Sequence, residues 1–399
     1  MKKLLISMVI ASLALTGLAG CSSTGNTNEG EGDATAEKVV IEIGVESSYK
    51  EYYEEVTKAY TEKNPNVTFK ISETGMLDLL DSLEAQRGNS ADVFMIPNDR
   101  VGDLAQKKLI TALDVDLSEY TETAQTAVEF EGQKYFLPLS TDTTLLLYNK
   151  ALTTEVPSTL KEIDPNDWSA KLTDFYVAAG LFYSNGSYIF GDSTDDIGLN
   201  NDAAIKAGEA IQSLYSSKVA HWEALKEEEA GYNQQSDNFA KGQLKYVIDG
   251  PWKIADFVKA GLAEENIGVA VIPSWDGTEA YKPLTGTKGL AVNAYSDVKD
   301  EAVKFVASLA NTDDATKWYQ MTKEVNPNTN VVYEEGSVAQ VVLEATKQGT
   351  SMPTDPSFGK CWTPMADALK QIASGGDVKE SLNAAVEIIK NDIAAMKSN

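Results

Sequence analysis

Short apolar runs alternate along the chain with stretches in which apolar residues recur every three to four positions. Val39 to Val45, Val67 to Ile71, Ala91 to Ile96, Leu244 to Ile248, Ile267 to Ile272 and Gly289 to Ala294 have the length of strands. Between the first two, Tyr52, Tyr53, Val56, Ala59 and Tyr60 put one apolar face on a helix. That order predicts α/β architecture with mainly parallel sheets and helical crossovers. Near the C-terminus the strand pattern stops. Leu382, Val386, Ile389, Ile393 and Met396 step along one helical face, and Asp377 with Glu380 three residues on has the form of a capping box at its start. The chain is expected to end in a docked helix, and no internal repeat is visible.

One junction in this pattern carries a question of chemistry. VIDGPWKIADF runs an apolar strand into a turn at Asp249, Gly250 and Pro251, then sets Trp252 at the mouth of a helix, where Pro251 suits the first helical position. A tryptophan there either packs into the core or stands where open α/β sheets bind ligands, outside the carboxyl ends of their strands. The local sequence leaves both open.

The first residues have another character. Lys2 and Lys3 precede the apolar run LLISMVIASLALTGLA, which closes on Leu18-Ala19-Gly20-Cys21. This resembles a bacterial lipoprotein signal peptide over residues 1–20, with Cys21 as the lipidated first residue of the mature chain. The run falls short of the roughly 20 apolar residues that a membrane span requires. Residues 22–37 contain no large apolar side chain and read as a flexible tether. The remaining residues are too many for one small core, so two lobes are expected.

Composition narrows the classes of partner. A formal net charge of −26 opposes the phosphates of nucleic acid. Of two cysteines, Cys21 is assigned to lipid, which leaves Cys361 without a disulfide partner. The sole histidine, His221, cannot supply a zinc site built on several His and Cys ligands, and a Ser-His-Asp triad would rest on that one residue. It reads as a packing or surface histidine, and no cofactor or metal is expected.

Five segments, taken in order, carry a resemblance: ADVFMIPNDRVGDLAQ, YFLPLSTDTTLLLYNKAL, FAKGQLKYVIDGPW, YKPLTGTKGLAVNAYS and MPTDPSFGKCW. From about Lys38 the chain resembles the maltose/maltodextrin-binding proteins of bacterial ABC importers, a branch of the extracellular solute-binding family. The resemblance implies a two-lobed, periplasmic-binding-protein-like fold with mixed sheets flanked by helices and a ligand cleft between the lobes. It implies lobe one at 38–140 and 288–336, lobe two at 144–284 and 340–399, and crossings near Ser140 to Thr143, Leu284 to Thr287 and Gly336. It further implies a monomer that binds an oligosaccharide, meets permease subunits, and is held on the outer face of the cell membrane by lipid.

A pyranose has an apolar face of C–H groups and a rim of hydroxyls, which calls for flat aromatic platforms and paired polar groups. Trp252, Trp362 and Tyr176 match the family's stacking aromatics. Asp99 and Arg100 match its Asp-Arg sugar pair, and Arg100 is one of only two arginines here, whose planar fork suits paired hydroxyl contacts. Asp142 and Asp174 fall where the family carries sugar-binding carboxylates, each shorter than the usual Glu. Glu46, Ser47 and Ser48 form the loop after the first strand, polar but without the Asp-Lys pair of the pattern. Ile96 stands in place of a tryptophan, which would remove one platform, and Ala366 and Asp367 lie where an arginine is expected after Trp362. Two other readings stay open: a cell-surface glycosidase using Asp142 and Asp174, and a polyamine-binding protein, for which an acidic aromatic cleft is apt although Arg100 would repel the ligand.

Overall fold

The computed structural model describes residues 38–398, so the signal-peptide, lipidation and tether expectations fall outside the described residues. Two sheets organise the chain. The first contains β1 (Val39–Val45), β2 (Val67–Glu73), β3 (Val93–Pro97), β6 (Leu137–Thr143), β11 (Leu284–Val292) and the short β12 (Thr350–Ser351), in the order β12-β11-β3-β1-β2 with β6 also on β11. The second contains β7 (Leu145–Asn149), β8 (Trp168–Ala170), β9 (Tyr246–Asp249) and β10 (Ile267–Ala270), in the order β10-β7-β9-β8. A two-stranded ribbon, β4 (Glu129–Phe130) with β5 (Gln133–Lys134), completes the strands.

β1 lies parallel to β2 and β3, β8 parallel to β9, and β11 parallel to β12. β11, however, runs antiparallel to β3 and β6, and β7 antiparallel to β9 and β10. The sheets are therefore mixed more evenly than the expected mainly parallel arrangement. β7 follows β6 after a single residue but belongs to the other sheet, so the chain passes between the sheets at Thr144.

Each sheet is packed by helices through its own apolar cluster. Around the first gather Ile41, Ile43, Val93, Phe94, Leu137, Leu290 and Trp318. The helix Lys50–Lys63 lays Tyr52, Tyr53 and Val56 on this core, the face its periodicity foretold. Around the second gather Trp168, Phe175, Phe182, Trp222, Ile248 and Met365. The final helix, Val378–Ser398, buries Leu382, Val386, Ile389 and Ile393 there, and its capping pattern is real on one side: the Glu380 backbone N–H donates to Asp377 Oδ1 at 2.8 Å. Met396, at the far end of that face, is only partly buried.

Two of the three stretches expected to cross between lobes, near Ser140 to Thr143 and Leu284 to Thr287, pair with each other. Thr141, Asp142 and Thr143 on β6 face Thr287, Gly286 and Thr285 on β11. Thr143 Oγ1 donates to the Leu284 carbonyl at 2.7 Å, and the Thr141 backbone N–H donates to the Val325 carbonyl at 2.8 Å. The β6–β11 ribbon thus passes directly from the first sheet into β7 of the second. Among the described residues, no helix is long and apolar enough to cross a membrane.

Candidate functional site

Trp252 stands where β9 gives way to the turn Pro251–Lys253 and the helix Ile254–Lys259. Its ring is 44% exposed, whereas Trp168, Trp222 and Trp318 are at most 1% exposed. Packing does not account for it. The ring lies on Gly250, where an added Cβ would come within 2.1 Å of it, so glycine is what lets the backbone pass beneath. One face is thereby supported and the ring is held 6.0 Å from that of Tyr176. The question posed for Trp252, core or ligand site, is answered by exposure in favour of an accessible ring.

Beneath this platform is a buried polar network. Asp249 Oδ1 accepts from Tyr232 Oη at 2.9 Å and from the Gly250 N–H at 2.8 Å, and Oδ2 accepts from Gln235 Nε2 at 3.1 Å. Burial pushes the Asp249 carboxyl up to about 6, against the opposing pull of these donors and of Lys253. The Lys253 and Lys171 ammonium groups stand 4.1 Å and 5.0 Å from the centre of the Tyr232 ring. Tyr232 Oη in turn lies 3.5 Å from the Trp252 indole nitrogen. Tyr232 was missed in the sequence because it sits in the polar helical stretch AGYNQQSDNF, with no apolar periodicity to mark it.

The carboxylates come from two elements. Asp174 is the N-cap of the helix Phe175–Ser184 and accepts from the Tyr176 N–H at 2.9 Å. Asp142, on β6, accepts from Tyr176 Oη at 3.1 Å. Burial raises the Asp142 carboxyl above the usual range, while Lys288 and the Tyr176 hydrogen bond pull it down. Opposite it, Gly286 leaves room that a Cβ would fill at 2.7 Å from Asp142 Oδ1. One tyrosine therefore ties together Asp142, Asp174 and Trp252.

Trp362 opens the helix Trp362–Ala373 and packs at 4.8 Å on Phe358 and 6.0 Å on Phe175. With Asp174, Lys171 and Thr173 it lines a pocket of about 340 Å³. Ala366 and Lys370 line the same pocket, so a lysine two helical turns beyond Trp362 reaches the region where an arginine was expected after one. From the first sheet, Asp99 approaches this side. Burial pushes its carboxyl up, while Arg100 and a hydrogen bond from Trp362 pull it down. Arg100 itself pairs with the exposed Asp81, Nη2 to Oδ1 at 3.3 Å.

The loop after β1 carries three further candidates. Ser47 and Ser48 are exposed, and Glu46 Oε1 is engaged by the Met76 N–H at 3.3 Å. Its next residue, Tyr49, was not singled out, yet it joins Lys288 and Glu324 in a partly buried charged group. Ile96, which stands in place of the pattern's tryptophan, is fully buried in β3, opposite Gly289. His221 is the packing residue it was read as, its Nε2 2.8 Å from the Trp168 carbonyl and its charged form disfavoured by burial. No cluster of His, Cys, Asp and Glu able to hold a metal occurs among the described residues.

This wall of half-buried and exposed rings and partly buried carboxylates can be set beside known proteins. The profile of the bacterial extracellular solute-binding proteins matches residues 55–345. The maltodextrin-binding protein MdxE of Bacillus subtilis is 31% identical, with 97% of each chain covered. A maltooligosaccharide ABC transporter solute-binding lipoprotein of Streptococcus pneumoniae is 30% identical over 96% of this chain and 95% of its own. Among solved structures, the maltose complex of the maltose-binding protein MalE from Listeria monocytogenes superposes with a TM-score of 0.82 at 27% identity, covering 90% of this chain and 98% of that one. These relatives bind solutes and are not enzymes, which removes the glycosidase reading of Asp142 and Asp174. The chain belongs to the bacterial extracellular solute-binding protein family.

Proposed function

We propose that this protein captures maltodextrin-type oligosaccharides outside the cell membrane and delivers them, chemically unchanged, to the permease of an ABC importer. The observation that carries the reading is the meeting of Trp252, Tyr176 and Tyr232 with the carboxylates Asp142 and Asp174 on one wall. Flat rings cover the C–H face of a pyranose, while carboxylates at its edge accept from hydroxyls. Trp362 extends this wall beside Asp174, Asp99 and Arg100 face the same ligand from the other lobe, and Glu46, Ser47 and Ser48 stand at its margin. In this reading the lobes are 38–140 with 288–336 and 144–284 with 340–399, the β6–β11 ribbon is their hinge, and Cys21 bears the lipid that holds a monomer at the membrane. The names of the relatives from B. subtilis and S. pneumoniae support the class of ligand.

A galactooligosaccharide-binding protein of B. subtilis, 28% identical over 100% of this chain, marks a competing class of sugar. A thermal-shift panel of maltose, longer maltodextrins, cyclodextrins, galacto-oligosaccharides and spermidine separates the choices. The proposal expects the largest rise in melting temperature with linear maltodextrins. A rise confined to galacto-oligosaccharides or to spermidine would replace it.

A further inference from the structure

The charged group at the root of the β6–β11 ribbon joins Tyr49, whose ring packs on Trp318 in the first core, to two charged side chains, and calls for its own explanation. Lys288 Nζ donates to Tyr49 Oη and to Glu324 Oε1, both at 2.9 Å, and Tyr49 Oη donates to the same Glu324 oxygen at 2.6 Å. The ammonium also stands 5.4 Å from the centre of the Tyr49 ring. The other Glu324 oxygen is buried with no hydrogen-bond partner. Burying charge is costly, and such groups persist where they are paired. Burial alone pulls the Lys288 ammonium down, yet Glu324, Tyr49 and Asp142 reverse the direction and hold it charged.

The register of the ribbon aims this charge. Asp142 on β6 faces Gly286 on β11, and Ser140 faces Lys288. Lys288 is two residues from Gly286, hence on the same face as Asp142 and diagonal to it, within reach of a long side chain. Gly286 carries no side chain to intervene. Among the described residues, only the Tyr176 hydroxyl donates to the Asp142 carboxylate, through Oδ1. Its second oxygen is thus available to a ligand hydroxyl.

We propose that Lys288, anchored by Tyr49 and Glu324, is a positioning residue that fixes Asp142 as a hydrogen-bond acceptor for the ligand. The groups that bear on Asp142 are Lys288 from β11, Tyr176 from its helix and Glu324 from the segment beside Thr141; Tyr49 acts through Lys288. Lys288 is the largest of the influences that favour the carboxylate, and burial and Glu324 oppose it. Without the ammonium, Asp142 takes up its proton at higher pH and ceases to accept there. The role for the ligand rests on the oligosaccharide reading; the pairing with Asp142 does not.

The test is the protonation of Asp142 in the ligand-free protein, followed by carbon NMR of labelled aspartate carboxyls and assigned with Asp142→Asn, together with maltopentaose affinity against pH. In Lys288→Met the Asp142 midpoint is expected to rise by about one pH unit or more, a tenfold change in proton affinity. The acid-side loss of sugar affinity should move with it, and Lys288→Arg should restore both. Lys288→Met/Glu324→Gln removes the stranded carboxylate as well, which guards against misfolding, and should keep an elevated midpoint. An Asp142 midpoint unchanged in both the single and the double variant overturns the proposal. A shifted midpoint in a protein that binds no maltodextrin would leave the Lys288–Asp142 pairing standing and sink the oligosaccharide reading instead.

Discussion

Trp252 and Trp168 differ in surroundings, and that difference sets what each does. Trp252 keeps 44% of its surface exposed, so Trp252→Ala should remove stacking worth about 1 to 3 kcal/mol, roughly a 5- to 150-fold loss of affinity, by analogy with bases on aromatic rings. Its melting temperature should scarcely move. Trp168, 1% exposed in the second core, should show the reverse: Trp168→Ala costs about 3 to 5 kcal/mol of folding free energy, with normal affinity in the folded fraction. Melting curves and titrations on the two variants check the pair. Asp249 adds a pH effect of definite sign. Burial lifts its carboxyl up to about 6, so the folded state binds that proton more tightly than the unfolded chain, whose value is about 4. This contribution to stability is full in acid and is lost as pH rises between about 4 and 6. Denaturant unfolding of wild type and Asp249→Asn across that window should show the wild type losing ground to the variant by up to about 3 kcal/mol; parallel curves would refute it.

At the scale of elements, what the sequence revealed and what it hid have physical reasons. The strands β1, β2, β3, β9, β10 and β11 overlap the apolar runs; β3, β9 and the second half of β11 are buried along most of their length and so nearly continuously apolar, whereas the edge strand β2 alternates apolar and polar residues. β6 and β8 were not drawn from the pattern: LPLSTDT mixes Thr, Ser and Asp into a strand that lines a site, and Trp168–Ala170 is only three residues long. The site residues Trp252, Tyr176, Asp142 and Asp174 were legible through segment resemblance, each in a short distinctive stretch. Tyr49, Tyr232 and Lys288 were not, since each acts through partners far away in sequence, such as Glu324, which is 275 residues from Tyr49. The crossing strands supply the element-scale prediction. Gly286→Ala puts a Cβ at 2.7 Å from Asp142 Oδ1 and 3.4 Å from the Tyr176 hydroxyl. It should weaken oligosaccharide binding about tenfold or more, the equivalent of about 1.4 kcal/mol for a disturbed carboxylate contact, while far-ultraviolet circular dichroism stays native. Unchanged affinity in calorimetry would mean that Asp142 does not face the ligand.

For the whole molecule, the proposed cleft, with Trp252, Tyr176 and Trp362 on one lobe and Asp99 and Arg100 on the other, gains its full contacts only when shut, so ligand should favour closure about the β6–β11 ribbon. Small-angle scattering should record a smaller radius of gyration at saturating maltodextrin, and an unaltered value would count against hinge motion. The capture of an oligosaccharide by this wall of residues is tested most directly by calorimetric titration of maltopentaose into the wild-type protein and into Trp252→Ala. The account predicts saturable binding of one glycan per chain in the wild type, and a roughly 5- to 150-fold weaker constant in the variant. No heat of binding in the wild type, or equal constants for the two proteins, would contradict it.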